Sequence, residues 1–264
     1  MKEFQERLMR LPHDTRESLA FFTRLPVGSK DTLTDLRISA AAWPLAGGII
    51  VLVPAILLWL AVMAGMPSLI AAVLALALAV AITGGLHEDG LADTADGFGG
   101  GETRERKLEI MRDSRLGSYG ALALIFVIMI RVMSLAMLSG EAGRGAIALF
   151  SVALVSRTLA LWHWSSLEPA RSEGLAFSAG RPDWRALAIG AGVGVVGLIA
   201  LLFAFGTATL FAAAIAFIVT IAFTSLSKSQ IGGHTGDTIG ACQQVAEAAL
   251  LAGLTVGWQS YAPV

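Results

Sequence analysis

Four carboxylates, Glu88, Asp89, Asp93 and Asp96, fall within nine residues of this 264-residue chain, with no Lys or Arg among them. On a helix Asp89, Asp93 and Asp96 are four and three residues apart and share one face, where like charges repel by roughly 0.2 to 0.5 kcal/mol per neighbouring pair. A bound divalent cation reverses that sign. Hard oxygen donors, with one nearby histidine and no cysteine, suit Mg²⁺ or Mn²⁺ better than zinc, and Mg²⁺ held by carboxylates commonly brings a phosphate with it. The alternative is a solvated acidic turn or helix face, and the setting argues against it.

That setting is a membrane. Residues 38–86 and 186–227 contain no Asp, Glu, Lys or Arg, and each run can hold two crossings of about 20 residues. With 55% hydrophobic residues, 15% charged residues and a mean hydropathy of +0.71, the chain reads as a polytopic membrane protein rather than a water-soluble domain. The expected fold is all-α: one membrane domain over 1–264, with about seven transmembrane helices and a cytoplasmic N-terminus. Crossings are expected at about 39–64, from the turn at 65–68 to about 86, and at 119–138, 145–164, 186–205, 207–226 and, more weakly, 238–258.

The elements between the crossings must position the acids. Residues 1–37 hold seven of the nineteen basic residues. Phe4, Leu8 and Leu11 recur there at helical spacing among charges, which suits an interfacial helix and not a secretory signal. A second short helix from Asp14 or Thr15 to Arg24, stopped by Pro26, would serve as an anchor or as a lid over a cytoplasmic site. With the N-terminus inside, cytoplasmic segments collect sixteen of the nineteen basic residues and the outside only Arg144, as the positive-inside rule requires. Residues 87–118, the acidic stretch included, then form a cytoplasmic loop.

Three charges fall inside crossings. Arg157 is close enough to an inner end to snorkel, while Arg131 and Glu247 either pair between helices or meet a substrate. The glycines at 190, 192, 194 and 197 suit close helix packing, and Cys242, the one cysteine, allows no intramolecular disulfide. The net charge of −1 gives no sign of a nucleic-acid partner, and self-association stays open.

Two further stretches accompany the acids. In Met111-Arg112-Asp113-Ser114-Arg115-Leu116-Gly117-Ser118-Tyr119-Gly120, Arg112 and Arg115 either grip phosphate oxygens or simply flank a crossing. In Ser229 to Gly240, the loop Gly232-Gly233-His234-Thr235-Gly236-Asp237 lets backbone amides approach an anion. Asp237 is a metal ligand, a base, or the N-cap of the last helix.

The runs 87–97, 111–120 and 232–237, together with Phe22-Thr23-Arg24-Leu25-Pro26-Val27, closely resemble the cobalamin synthase (adenosylcobinamide-GDP ribazoletransferase) family, in the right order over nearly the whole chain. The resemblance implies an enzyme of the bacterial or archaeal cytoplasmic membrane, with its active site facing the cytoplasm. With Mg²⁺ it would join adenosylcobinamide-GDP to alpha-ribazole or its 5′-phosphate and release GMP. Asp93-Thr94-Ala95-Asp96-Gly97 also looks like the opening of the CDP-alcohol phosphotransferase motif, but Phe98-Gly99-Gly100-Gly101 departs from it.

Given that chemistry, Asp89, Asp93 and Asp96 are the expected metal ligands, with Glu88 as a candidate fourth. Arg112, Arg115 and Lys228 would steady the diphosphate, Gly232, Gly233 and His234 would contact substrate, and Asp113 or Asp237 would be the general base. The rivals are a cation transporter, which would hold its acids near the membrane midplane, and a phospholipid head-group transferase with analogous chemistry.

Overall fold

The computed structural model describes residues 2–27, 36–141 and 143–256; Lys30 and Trp258 lie outside the described residues. The chain order is α1 (Lys2–Phe22), α2 (Leu36–Ser39), a 3₁₀ turn (Ala40–Ala42), α3 (Trp43–Met63), α4 (Ser68–Thr83), α5 (Leu86–Gly100), α6 (Arg104–Ile110), α7 (Ser118–Leu138), α8 (Arg144–Ser166), α9 (Leu175–Ala179), α10 (Trp184–Phe205), α11 (Ala208–Ile231) and α12 (Gly236–Thr255). The fold is the expected all-α polytopic bundle.

Helices occupy all seven expected places, but they are not equivalent. Five described segments, Ala40–Met63, α7, α8, α10 and α11, are long and apolar enough to cross a membrane. Helix α4 has 16 residues and is followed, after an 87° bend, by α5; read as one broken span, the pair would make a sixth. At 1.5 Å per residue α4 alone is about 24 Å long, short of the roughly 30 Å hydrocarbon core, and α5 runs nearly at right angles to it. Helix α12, the expected seventh crossing, falls short of the hydropathy of the others because Gln243, Gln244 and Glu247 interrupt its apolar surface.

Helix α8 lies at the centre, against α3, α10 and α12. Two thirds of its most apolar stretch is buried (67%), whereas α7 buries only 22% and turns Ile125, Phe126, Met129 and Met133 outward, as a lipid-facing helix would. The α8–α10 contact uses the glycines noted above: a Cβ at Gly190 would press on Leu161, one at Gly194 on Thr158, and one at Gly197 on the Ser151 carbonyl. Gly192 faces open space.

The N-terminal segment corrects one expectation. Rather than two helices, α1 is continuous through Pro12. Proline costs the helix one hydrogen bond; the run of apolar contacts from Phe4 and Leu11 to Leu19 and Phe22 against the bundle offsets it.

Candidate active site

The acidic helix owes its direction to two glycines. Gly84 (φ +67°) and Gly85 (φ +75°) adopt left-handed backbone in succession, a conformation that suits glycine and breaks a helix sharply. A Cβ at Gly84 would lie 2.1 Å from Arg24 Nε, and the Arg24 N–H donates to the Ile82 carbonyl at 2.9 Å. The Phe22–Val27 segment therefore clamps the break. Beyond it α5 crosses α12 at close range: a Cβ at Gly90 would sit 2.8 Å from the Asp237 carbonyl oxygen, and one at Gly240 would sit 3.3 Å from His87 Cα. The missing side chains bring Asp89 and Asp93 beside Asp237.

The four acids of α5 then part ways. Glu88 points into the bundle, where its Oε1 accepts hydrogen bonds from Arg131 and from Gln244, each at 3.0 Å. Asp96 is buried, and its two oxygens accept the backbone N–H groups of Gly117 at 2.7 Å and Gly120 at 2.9 Å, holding the first turn of α7. Asp89 and Asp93 remain for Asp237. Burial, and after it the charges of Asp89, Asp237 and Asp96, push the Asp93 carboxyl up from 3.8 to about 7. Burial also raises Asp237, against the opposing pull of Arg171, 3.7 Å away.

The glycine-rich loop is stitched to a second loop by a short parallel bridge. Ala170 N–H donates to the His234 carbonyl at 2.8 Å and His234 N–H to the Glu168 carbonyl at 2.9 Å, an approach so close that a Cβ at Gly233 would lie 2.2 Å from the Glu168 oxygen. Gly232 (φ +78°) ends α11, with the Arg104 guanidinium beside it. The loop's backbone is thus spent on packing and helix capping. Thr235 and Thr238 form a reciprocal capping box at the start of α12, so Asp237 is not the N-cap; its Oδ2 accepts the Thr235 hydroxyl at 3.2 Å. His234 is fully buried, and burial pushes its imidazole down to about 4.

A cavity of about 330 Å³ opens at this junction, lined on its polar side by Asp89, Asp237, Arg171 and His234 and elsewhere by Phe22, Trp43, Ile239 and Phe177. Arg171, Pro169, Glu173 and Phe177 also line a second, more open cleft of about 630 Å³ that includes Arg104 and Arg112. Arg112 is therefore beside the site, paired with Glu173 at 2.8 Å. Asp113 and Arg115 are not: they pair with each other at the surface, and hydrogen bonds from Arg115 hold the Asp113 carboxyl down to about 2. Lys228 is exposed at the end of α11 and lines neither space.

Two arginines of the site went unmarked in the sequence. Arg171 sits in a loop with no motif, and only its net charge drew notice; Arg104 donates to the Ile231 and Ala170 carbonyls at 2.8 and 2.5 Å, joining α6, α11 and the 168–170 segment. Arg131 and Glu247 pair across the bundle at 2.7 Å, with Gln243 and Gln244 completing the network. Arg157 departs from expectation. It does not snorkel; it is 4% exposed and lines the inner cavity, packed so tightly on α3 that a Cβ at Gly47 would meet its side chain at 2.2 Å.

Whether this donor set suits Mg²⁺ turns on chemistry and reach. Among the described residues, the trio of potential ligands whose oxygen or nitrogen atoms lie within 4.8 Å of one another is His13, Asp14 and Glu17 on α1, not the α5 acids. Mg²⁺, however, usually keeps several waters and is held by one or two carboxylates plus substrate phosphates. Asp89 and Asp93, with Asp237 nearby and Arg171 3.7 Å from Asp237, fit that pattern.

Fold and site together define a polytopic helical membrane protein that carries, at one end of its bundle, a carboxylate- and arginine-lined cavity suited to phosphate chemistry. The chain belongs to the cobalamin-5-phosphate synthase family, whose model matches residues 14–255. It is 44% identical over 253 residues to the adenosylcobinamide-GDP ribazoletransferase of Sinorhizobium medicae (strain WSM419), covering 92% of this chain and 96% of that protein. The protein of the same name from Azorhizobium caulinodans is 44% identical over 256 residues, covering 94% and 97%. No solved structure matches the chain.

Proposed function

We propose that the protein is an adenosylcobinamide-GDP ribazoletransferase: it joins alpha-ribazole, or its 5′-phosphate, to adenosylcobinamide-GDP and gives adenosylcobalamin, or its 5′-phosphate, and GMP. The observation that carries the reading is that Asp89, Asp237 and Arg171 line one cavity, with Asp93 close enough to feel both carboxylates, in a chain of this family. Membership also sets aside the transporter and head-group transferase alternatives.

In the reaction a ribose hydroxyl oxygen forms a bond to the phosphorus next to cobinamide, the bond from that phosphorus to the bridging oxygen breaks, and GMP leaves with the bridging oxygen. Asp237 is the better placed acceptor of the hydroxyl proton. It lines the cavity and its pKa is raised, whereas Asp113 is at the surface and held near 2, too weak a base for the task. Arg171, Arg112 and Arg104 line the second, more open cleft and would bind diphosphate oxygens there. Asp89 and Asp93 would hold Mg²⁺, which when bound neutralises diphosphate charge and lowers the pKa of the attacking hydroxyl. Glu88 and Asp96 act one step back, fixing the face that α5 presents and the start of α7. In this reading the site opens to the cytoplasm, where the basic loops lie.

The test is turnover by the purified protein in lipid, given adenosylcobinamide-GDP and alpha-ribazole with and without Mg²⁺. Stoichiometric GMP and adenosylcobalamin, formed only with the metal, are expected. Release of GMP without the nucleoside, or no corrinoid product under any condition, would overturn the reading.

A further inference from the structure

Four residues in the inner cavity carry buried polar atoms that no protein group satisfies. They are Trp43 Nε1, Arg157 Nε, Arg171 Nε and both ring nitrogens of His234, and all four line the same space. Trp43, Arg157 and His234 are only 5%, 4% and 1% exposed. Buried donors and acceptors are normally paired, and each exception asks for a partner; here the four residues that carry the exceptions line one cavity. Three are N–H donors, and a neutral imidazole supplies one donor and one acceptor. Between them stand flat apolar walls: Phe22 packs edge-on to Trp43 with ring centroids 4.9 Å apart, and Phe177 and Ile239 line the same cavity.

The complementary ligand has a planar apolar part and several hydrogen-bonding atoms, mostly acceptors, within about 330 Å³. A nucleoside with an aromatic base has that form: the base meets the flat walls and the ribose oxygens and base nitrogen meet the orphaned groups. A corrin ring with its side chains and a GDP moiety is far too large for the space. It has instead the open outer cleft with Arg104 and Arg112, which shares Arg171 with the inner cavity.

We infer that the inner cavity is the binding site of the acceptor nucleoside, that Trp43, Arg157 and His234 select it, and that the corrinoid nucleotide binds from the outer cleft with Arg171 at the boundary. The inference rests on the proposed transferase reading and specifies which substrate fills which space. It puts the ribose hydroxyl on the Asp237 side, since Asp237 and Asp89 line the same cavity.

The experiment measures binding of each substrate separately, without turnover. In His234→Phe and in Arg157→Met, which keep the bulk and remove hydrogen bonds, the Kd for alpha-ribazole should rise about tenfold or more while that for adenosylcobinamide-GDP stays within about twofold. Retained corrinoid binding also certifies the fold. A second arm leaves these residues untouched: Leu175→Cys adds a thiol to the cavity rim, the native Cys242 being buried. Alpha-ribazole alone should slow its maleimide labelling, and GDP alone should not. Equal weakening of both substrates, or protection by GDP but not by alpha-ribazole, would overturn the assignment. Because wild-type turnover is measured independently, these results would leave the proposed transferase activity standing, and its absence would show as no turnover at all.

Discussion

The Asp96 carboxylate caps the helix that follows it: its Oδ2 accepts the Gly117 N–H at 2.7 Å, and its Oδ1 the Gly120 N–H at 2.9 Å. Both oxygens are engaged by α7, so this acid joins α5 to a transmembrane helix as well as adding charge to the site. Asp96→Asn replaces one acceptor with an NH₂ group that faces another N–H. We expect a loss of roughly 0.5 to 2 kcal/mol, the usual worth of a cap, seen as a lower unfolding temperature in detergent. Asp93→Asn should abolish turnover without that loss. Equal stability of the two variants would refute the distinction.

Acid and metal roles at Asp237 separate kinetically. Asp237→Asn should slow single-turnover product formation by roughly 10² to 10⁴-fold with a near-normal Mg²⁺ requirement and an altered pH profile, whereas Asp113→Asn should be nearly silent. If raised Mg²⁺ restores Asp237→Asn, the residue is a ligand and the proton goes elsewhere.

Asp93 makes metal-free stability pH-dependent. Its pKa rises from 3.8 to about 7 on folding, through burial and the neighbouring acids, so the folded protein holds that proton more tightly than the unfolded chain. Its contribution is fully present below about 3.8 and is lost as pH rises through about 7. Unfolding temperatures measured in EDTA should therefore fall across that window, and Mg²⁺ should oppose the fall most strongly at its upper end. A flat profile in EDTA for the wild type and for Asp93→Asn alike would contradict the coupling.

The Arg131–Glu247 pair is nearly inaccessible, with side chains 6% and 4% exposed. Removing one partner strands a buried charge. Arg131→Met should cost about 3 to 5 kcal/mol, and Arg131→Met combined with Glu247→Met should recover part of that, because the second change removes the stranded carboxylate. Additive losses in thermal unfolding would show that the pair is not coupled.

Much of this was legible in the sequence. Charge-free runs marked the helices because a lipid environment tolerates little else there, and the acids drew notice because so many like charges need a counter-ion. What the helical spacing alone did not convey was the direction of each acid. Glu88 and Asp89 are adjacent, and on a helix neighbours diverge by about 100°; one therefore meets Arg131 inside the bundle while the other lines the cavity. Arg171 was less legible, since its place depends on the backbone bridge between Pro169 and His234, a long-range pairing without a local signature. Arg157 was read as an interfacial anchor because distance from a helix end says nothing about which side of the helix faces a cavity.

The polar face of α12 has a consequence for how the protein is made. Gln243, Gln244 and Glu247 are all buried, against the helices that α12 touches, α5, α7, α8 and α11. A carboxylate placed alone at the middle of a bilayer opposes insertion by roughly 3 kcal/mol, and α12 lacks the hydropathy of the five clear spans. Among the described helices it follows all of these neighbours in the chain. Pairing with Arg131 of the earlier helix α7 therefore assists the entry of Glu247, and Asp237, in the first turn of the same helix, reaches its place beside Asp89 and Asp93 only once α12 has docked.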